Sequence, residues 1–257
     1  MKTHLVSQVI LKEFTNQDGL LTIHYKDSAK KPVQKTTKDV GYVEIDTAVI
    51  ERLERDWNES VENDAKKTLR VLRNGDVLLY EKHTKILKKL MTLHFIRSQI
   101  LMYLFNEMSQ YHLDKIIDEA MPLFSGTRET LEAMVKQKLP DVLNKTLVQS
   151  LDDLIKKAGV HIDQYGLEIG VAPEGTHFVL SDSPAITMDR EGNLGILQGV
   201  AILQATEFAM VMTPQHVVTL KSDQTSNTYV HLTPVQVDNL NKKQIAHSLH
   251  EYYSVSN

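Results

Sequence analysis

Residues 83–112 have the sequence HTKILKKLMTLHFIRSQILMYLFNEMSQYH, in which apolar side chains recur at helical spacing. An α-helix turns by about 100° per residue, and on that wheel most of the apolar residues fall within one stripe. The stripe contains Ile86, Leu87, Leu90, Leu93, Ile100, Leu101, Leu104, Phe105 and Met108. Lys85, Lys88 and Lys89 lie largely off the stripe, as expected for solvated side chains. The pattern predicts a long central helix with one buried face.

Two polar residues, His94 and Arg97, fall inside this apolar stripe. Burying a guanidinium costs several kcal/mol unless the charge is paired and hydrogen-bonded. Arg97 therefore requires either a carboxylate, which would make it a structural ion pair, or a bound anion. His94 and Arg97 are three residues apart and share a helix face, so the second alternative is an anion or phosphate clamp.

The segments on either side of this helix predict the fold class. Leu20–Tyr25 and Val40–Ile45 are predicted to form an N-terminal β-hairpin, joined by the Lys-rich connection 26–39. Amphipathic patterns predict long central helices at 48–72 and 82–120, and further helices at 127–138 and 140–158. Pro140 suits a first helical turn, and Gly159 suits a helix end.

The pattern changes after residue 160, where short apolar runs are separated by Gly, Pro, Ser and Asp. These runs predict a mostly antiparallel sheet formed by 167–172, 177–181, 185–188, 207–212 and 217–220. A terminal helix is predicted from Pro234 to about Tyr252. Hairpin, helices, sheet and terminal helix in this order predict an α+β fold. We expect a single domain, 1–257, with a soft sub-boundary near 160 that separates 1–159 from 160–257.

Composition excludes several classes of protein. The chain has 257 residues, with Lys+Arg 29 against Asp+Glu 33, so an overall basic excess is absent and only a local basic patch could attract nucleic acid. It has no cysteine, which removes disulfides, thiolate nucleophiles, zinc ribbons and iron–sulfur clusters. The N-terminus does not resemble a signal peptide, and no apolar run reaches the ~18 residues of a membrane span. We therefore expect a soluble, cytoplasmic protein without membrane contact.

Two other segments contain candidate functional residues. Ser181-Asp182-Ser183-Pro184 follows an apolar run, so Asp182 either projects into a site from a strand end or caps its own backbone in an Asx turn. His4 and Gln8 share a face in either a helix or a strand, which fits a site as well as a structural polar pair. His247 and His250 are interpreted as surface histidines. The common nucleotide-binding, zincin and hydrolase motifs are absent.

Read together, these segments resemble the domain-of-unknown-function 4238 family. The resemblance rests on a first group of residues at His4, Gln8, Leu11, Lys12 and Phe14, with Ser7 where the family usually has proline. It continues through the strand-like 19–25, through His94, Arg97 and Ser98, and through 181–184. It ends with Val237, Asn241, Ala246, Tyr253 and Ser254. The resemblance implies one architecture over nearly the whole chain, and it implies no reaction.

Different function classes fit the candidate residues. The first is a hydrolase of a phosphodiester or nucleotide, such as a nuclease in bacterial stress or phage defence, with His4, His94 and Asp182 as catalytic residues. The second is a non-catalytic module that binds an anionic ligand or a partner protein, and the third is a purely structural role. In the first two classes the ligand is an anionic small molecule or a nucleic acid, bound by Gln8, Arg97 and Ser181. No metal site is predicted, and the cofactor and oligomeric state stay open.

The sharpest prediction concerns the counter-ion of Arg97. Glu62 and Asp182 are the candidates, and Glu62 belongs to a densely charged helix where solvation is expected. Asp182 follows a buried run and is held by Pro184, so it is predicted to pair with Arg97. His4, Gln8 and His94 are predicted to surround the pair. The enzyme interpretation further requires His4, His94 and Asp182 to face one accessible cleft.

Overall fold

The computed structural model describes residues 2–4, 6–44, 61, 63–107, 110–189, 191 and 205–255. Its helices are α1 (Gln8–Leu11), α2 (Asn63–Arg73), α3 (Glu81–Glu107), α4 (Gln110–Ala120), α5 (Arg128–Asp163) and α6 (Pro234–His247). Its strands are β1 (Lys2–His4), β2 (Leu20–Tyr25), β3 (Val33–Thr36), β4 (Tyr42–Glu44), β5 (Gly166–Val171), β6 (Leu180–Ser181), β7 (Ala185–Met188), β8 (Glu207–Thr213), β9 (His216–Lys221), β10 (Thr228–His231) and β11 (Glu251–Val255). This mixture of segregated helices and strands confirms the predicted α+β class.

The described strands form one two-stranded sheet and two larger sheets. The five-stranded sheet has the order β10-β5-β9-β8-β7, in which the β10–β5 pair is parallel and the other pairs are antiparallel. The four-stranded sheet has the antiparallel order β3-β2-β11-β6, and β1 pairs with β4. The prediction of a mostly antiparallel sheet after residue 160 is confirmed. Of the run predicted at 177–181, only Leu180–Ser181 is a strand, and β10 was not predicted.

Helix α3 is the centre of the molecule and packs against α2, α5 and β7. The first half of its stripe is buried as predicted, with Leu87, Leu90, His94 and Arg97 all inaccessible. The rest of the stripe, from Ile100 to Met108, lies outside the residues whose side chains are described. The ring of Phe95 meets the ring of Phe208 edge to face at a centroid distance of 5.4 Å. One hydrophobic core therefore contains residues from both sides of position 160.

The predicted N-terminal hairpin has a different partner strand. Strand β2 pairs with β3, which lies inside the connection predicted as a loop, and β4 pairs with β1 instead. The buried positions Leu21 and Ile23 alternate with half-buried ones, so β2 has one core face and one outer face. Pairing of β2 with β11 joins the hairpin to the C-terminal segment. Residues 45–60 and 62, where part of the predicted strand and helix falls, lie outside the described ranges.

The two helices predicted around Pro140 are one helix, α5, which also contains Gly159. Proline in a helix interior removes one backbone hydrogen bond, at a cost of about 3 kcal/mol, but packing on either side can outweigh that cost. Buried side chains lie on both sides of Pro140, at Leu131, Ala158 and Ile162. Their packing stabilises one continuous helix through the position where a break was predicted. Within the ranges described above, no helix combines the length and the apolar character needed to cross a membrane.

The predicted terminal helix ends early. A capping box between Thr233 and Gln236 begins α6, with Pro234 in its first turn, and the helix stops at His247. Residues 251–255 then form β11, which lies between β2 and β6. The prediction of a helix to about Tyr252 is therefore wrong beyond His247, because β2 and β6 offer this part of the backbone hydrogen bonds between strands instead.

Candidate functional site

Arg97 lies in the core, with 1% of its surface exposed. Its Nη1 donates to the backbone carbonyl oxygen of His4, at the end of strand β1. A guanidinium at this position binds the N-terminal strand to the middle of helix α3. The depth of Arg97 follows from its place on the apolar stripe, as the sequence predicted.

His94 is completely buried one turn before Arg97. Its Nδ1 donates to the carbonyl oxygen of Leu90 at 2.9 Å, and its Nε2 accepts from the backbone N–H of Ser7 at 3.2 Å. Burial holds the pKa of His94 well below its ordinary value, and the charge of Arg97 lowers it further. His94 is therefore a neutral imidazole whose two nitrogens both bind backbone groups.

The other N-terminal candidates also lie at this junction. The half-buried ring of His4 meets the ring of Tyr42 edge to face at 6.3 Å, across the β1–β4 pair. The Nε2 of Gln8 donates to the carbonyl oxygen of Thr37 at 2.6 Å. These contacts hold the N-terminal segment against helix α3 and its neighbours. We call the four residues involved, His4, Gln8, His94 and Arg97, the Arg97 cluster.

Asp182 does not pair with Arg97, so that prediction is wrong. Its Oδ1 accepts from the backbone N–H of Leu249 at 2.7 Å, and its Oδ2 accepts from those of His250 and Glu251 at 2.7 and 3.0 Å. Asp182 and Arg97 both belong to the described part of the chain, and no ion pair between them occurs there. Burial raises the pKa of Asp182, while these three hydrogen bonds act in the opposite direction. Backbone donors, rather than a guanidinium, compensate its charge.

Further polar contacts bind the segment around Asp182 to the C-terminal part of the chain. The side chain of Gln244 accepts from the N–H of Ser181 at 3.2 Å and donates to the carbonyl oxygen of Pro184 at 3.0 Å. Nδ1 of His247 donates to the carbonyl oxygen of Ser183 at 2.8 Å. His247 is buried, so its interpretation as a surface histidine is wrong. We call this group of contacts the Asp182 cluster.

The structure therefore separates the predicted site residues into the Arg97 cluster and the Asp182 cluster. The two are linked indirectly, because Gly41 beside Tyr42 donates to Glu251 and the N–H of Glu251 donates to Asp182. The atoms of His94 and Asp182 that would move protons are already bonded to backbone groups. Both clusters fasten chain ends onto the core. The catalytic roles of His4, His94 and Asp182 stay a prediction.

A different region has the shape of a ligand site. One cavity of about 440 Å³ and a second of about 330 Å³ both include Arg73 and His216 in their walls. Volumes in this range are typical of small-molecule pockets. The remaining lining residues of the first cavity are Glu13, His177, Thr213, Pro214, Gln215 and Val255, and those of the second are Asn74, Gly75, Val171, Tyr229 and His231. We call the two cavities together the Arg73 groove.

The charged residues of the Arg73 groove differ in their exposure to solvent. Arg73, at the end of α2, is half exposed and pairs with the mostly buried carboxylate of Glu13. Burial raises the pKa of Glu13 and outweighs the opposing effect of Arg73. Burial also lowers the pKa of His216, with Arg73 adding to the effect, and Nδ1 of His216 hydrogen-bonds to Thr213 at 2.9 Å. The groove thus contains one accessible cation and a carboxylate whose charged form is disfavoured.

Sequence reasoning missed this groove, because its residues come from segments that are far apart in the chain. In the sequence, Arg73-Asn74-Gly75 directly follows the predicted helix 48–72 and indicates only its end. Across the described ranges, no group of three or more His, Asp or Glu side chains is arranged to hold a metal ion.

Two features characterise this class of α+β protein. Its central helix buries Arg97, and its S-D-S-P segment binds the start of the C-terminal strand. The chain belongs to the family described as Protein of unknown function (DUF4238), whose sequence pattern matches residues 2–255. This match confirms the resemblance inferred from the short motifs. Neither a curated protein nor a solved structure matches the chain.

Proposed function

We propose that the protein is a module that binds a small anionic molecule in the Arg73 groove. The observation that supports this proposal most directly is the state of Arg73, whose side chain is 50% exposed and lines both cavities. Glu13 is its ion-pair partner in the described part of the chain. A guanidinium has five N–H donors, so donors are left for a phosphate or carboxylate group.

The balance of charge favours an anion over a cation. An incoming anion would compete with Glu13 for Arg73, and burial already disfavours the charged form of that carboxylate. His216 has a lowered pKa and adds no fixed charge near neutral pH. By contrast, Arg97 is enclosed by protein and already donates to His4, which favours a structural role for it. The Arg73 groove is therefore the better anion site.

Calorimetric titration with inorganic phosphate and with adenosine monophosphate tests the proposal. We expect saturable binding that weakens by about tenfold or more in Arg73→Gln, which corresponds to about 1.4 kcal/mol. Arg70→Gln is the matched control, because Arg70 is exposed on the same helix and does not line the groove. Glu13→Gln removes the competing carboxylate, so it should bind either anion at least as tightly as the wild type.

The proposal is contradicted if neither probe binds at millimolar concentration. It is also contradicted if the Arg70 and Arg73 variants lose the same affinity for the probes, or if Glu13→Gln binds them more weakly than the wild type. The hydrolase alternative is measured in the same samples by release of p-nitrophenol from a phosphodiester. If the wild type turns over this substrate and Arg73→Gln does not, the protein is an enzyme and not a binding module.

A further inference from the structure

The Arg73 groove follows one row of residues across the five-stranded sheet. The register places His231 of β10 opposite Val171 of β5, which in turn lies opposite His216 of β9. His216 lies opposite Thr213 of β8. Directly opposed side chains share a face of the sheet, and all four of these residues line the groove. Neighbouring strands are about 4.8 Å apart, so a row across these strands is about 14 Å long. The two cavities therefore lie side by side along one row.

The groove begins where this face of the sheet leaves the core. The preceding row on the same face consists of Tyr229, Ile169 and Val218. Ile169 and Val218 are inaccessible, whereas in the next row Val171 is half-buried and His231 is exposed. Strand pairing fixes the backbone beneath both rows. A ligand that lies along the groove therefore has little backbone to order when it binds.

Charge divides the groove into a cationic centre and two ends. Arg73 lines both cavities, and among their described lining residues it is the one arginine or lysine. Glu13 lies in the wall of the first cavity. Burial raises the pKa of Tyr229, in the wall of the second cavity, and the charge of the nearby Asp76 raises it further. Carboxylates thus lie toward both ends, and an anionic group is most stable at the centre, beside Arg73.

A single negative charge suits this centre better than two. Arg73 has one positive charge, and Glu13 already pairs with it. A phosphodiester carries one negative charge, whereas a phosphate monoester carries about 1.5 to 2 near neutral pH. A phosphodiester also has a substituent on each side of the phosphorus atom, and the groove has a cavity on each side of the guanidinium. Both charge and shape therefore favour a phosphodiester.

The walls of the two cavities suit flat rings. The second cavity is lined by the phenol of Tyr229 and the imidazole of His231, which are two residues apart on β10 and share a face. The lining of the first cavity includes the exposed His177 and the apolar Pro214. Stacking on aromatic side chains is a common way in which proteins bind unpaired nucleobases. Each cavity thus provides a ring on which a base can stack.

We propose that the ligand of the Arg73 groove is a phosphodiester that joins two ring-bearing groups, as in a dinucleotide. Its phosphate lies against Arg73, with one ring beside Tyr229 and His231 and the other beside His177. This inference rests on the function proposed above and adds the class of ligand to it. A dinucleotide uses both cavities, whereas a nucleoside monophosphate uses one.

Calorimetric titration with adenylyl-3′,5′-adenosine, adenosine monophosphate and inorganic phosphate tests the proposal. The dinucleotide should bind about tenfold or more tightly than the monophosphate, because its second ring adds a second stacking contact. His231→Ala removes an exposed ring from the second cavity and should weaken dinucleotide binding by about fivefold. The monophosphate should lose at most about twofold in this variant, because its one ring can occupy the other cavity.

Two further variants complete the test. His177→Ala removes a ring from the first cavity and should also weaken the dinucleotide more than the monophosphate. His250→Ala is the matched control, because His250 is exposed and does not line either cavity. Inorganic phosphate has no ring, so its affinity should stay unchanged in all three variants. The three side chains are exposed, so the variants are expected to fold, and thermal unfolding verifies this.

The proposal is overturned if the dinucleotide binds no more tightly than the monophosphate while both probes still depend on Arg73. That result leaves the function proposed for the groove intact. It is also overturned if His250→Ala weakens dinucleotide binding as much as His231→Ala, or if dibutyl phosphate, a phosphodiester without rings, binds as tightly as the dinucleotide. If none of the probes binds, the proposed function and this inference are both wrong.

Discussion

Replacing Asp182 with alanine removes an acceptor that three backbone N–H groups share. Those groups belong to Leu249, His250 and Glu251, at the point where the chain leaves α6 and enters β11. Strand β11 lies between β2 and β6, so loosening its start weakens two strand pairings together. We therefore expect a loss of global stability and not only a local change.

The magnitude follows from the number of donors. A buried donor left without an acceptor costs about 1–3 kcal/mol. These three donors are only partly buried, so the lower end of that range applies and predicts a loss of about 3 kcal/mol in the free energy of unfolding. Release of the buried carboxylate offsets part of this loss, because burial raises the pKa of Asp182. A chain of this size loses about 2–4 °C of Tm per kcal/mol, so Tm should fall by about 6–12 °C.

Urea and thermal unfolding followed by circular dichroism measure this effect. Asp182→Asn should lose less than Asp182→Ala, because its carbonyl oxygen can still accept from His250 and Glu251 while its amide faces the N–H of Leu249. Asp238→Ala is the control, since Asp238 is exposed and forms an i,i+4 pair with Lys242 that is worth about 0.5 kcal/mol or less. If Asp182→Ala is as mild as the control, or if the amides 249–251 keep their hydrogen-exchange protection, the reasoning is refuted.

Two further predictions concern acid stability and backbone conformation. Burial lowers the pKa of His247 to about 4, so the unfolded chain takes up its proton first and about 2 kcal/mol of stability is lost as the pH falls from 7 to 5. Denaturant titrations at these two pH values should show that loss reduced in His247→Gln and retained in the variant of the exposed His231. Gly41→Ala should cost more stability than Gly19→Ala, by about 1 kcal/mol, because both positions have positive φ but only a Cβ at Gly41 would crowd the hydroxyl of Tyr253, at 3.1 Å. Equal Tm values for the two alanine variants would contradict this.

Local patterns were sufficient to predict the depth of His94 and Arg97. Helical periodicity depends only on neighbours along the chain, so it places side chains on the buried face of α3 without any knowledge of what covers that face. For the partner that a buried Arg97 requires, the sequence indicated Asp182, because it follows an apolar run and precedes Pro184. That partner is wrong, because the backbone N–H groups of residues 249–251 bind the Asp182 carboxylate and no pattern in the sequence shows that they lie within its reach.

Pairings between distant segments were not predictable in the same way. Residues 20–25 were correctly recognised as a strand, yet their partners are β3 and the C-terminal β11. Register and partner are chosen by which strand edges the packed core brings together, and the sequence of a single strand contains little information on that choice. The Arg73 groove likewise forms where distant segments meet, and for this reason the sequence did not predict it.

By itself, the sequence determined the α+β class, the apolar stripe of the central helix and the absence of any cysteine chemistry, because composition and periodicity are properties of neighbouring residues. Only the tertiary structure decided that residues 251–255 form a strand, that Asp182 binds the backbone instead of Arg97, and that Arg73 meets Glu13. These outcomes depend on unpaired backbone groups and cavities that exist only after distant segments have packed together. A buried polar group takes whichever compensating partner the packed chain places within reach.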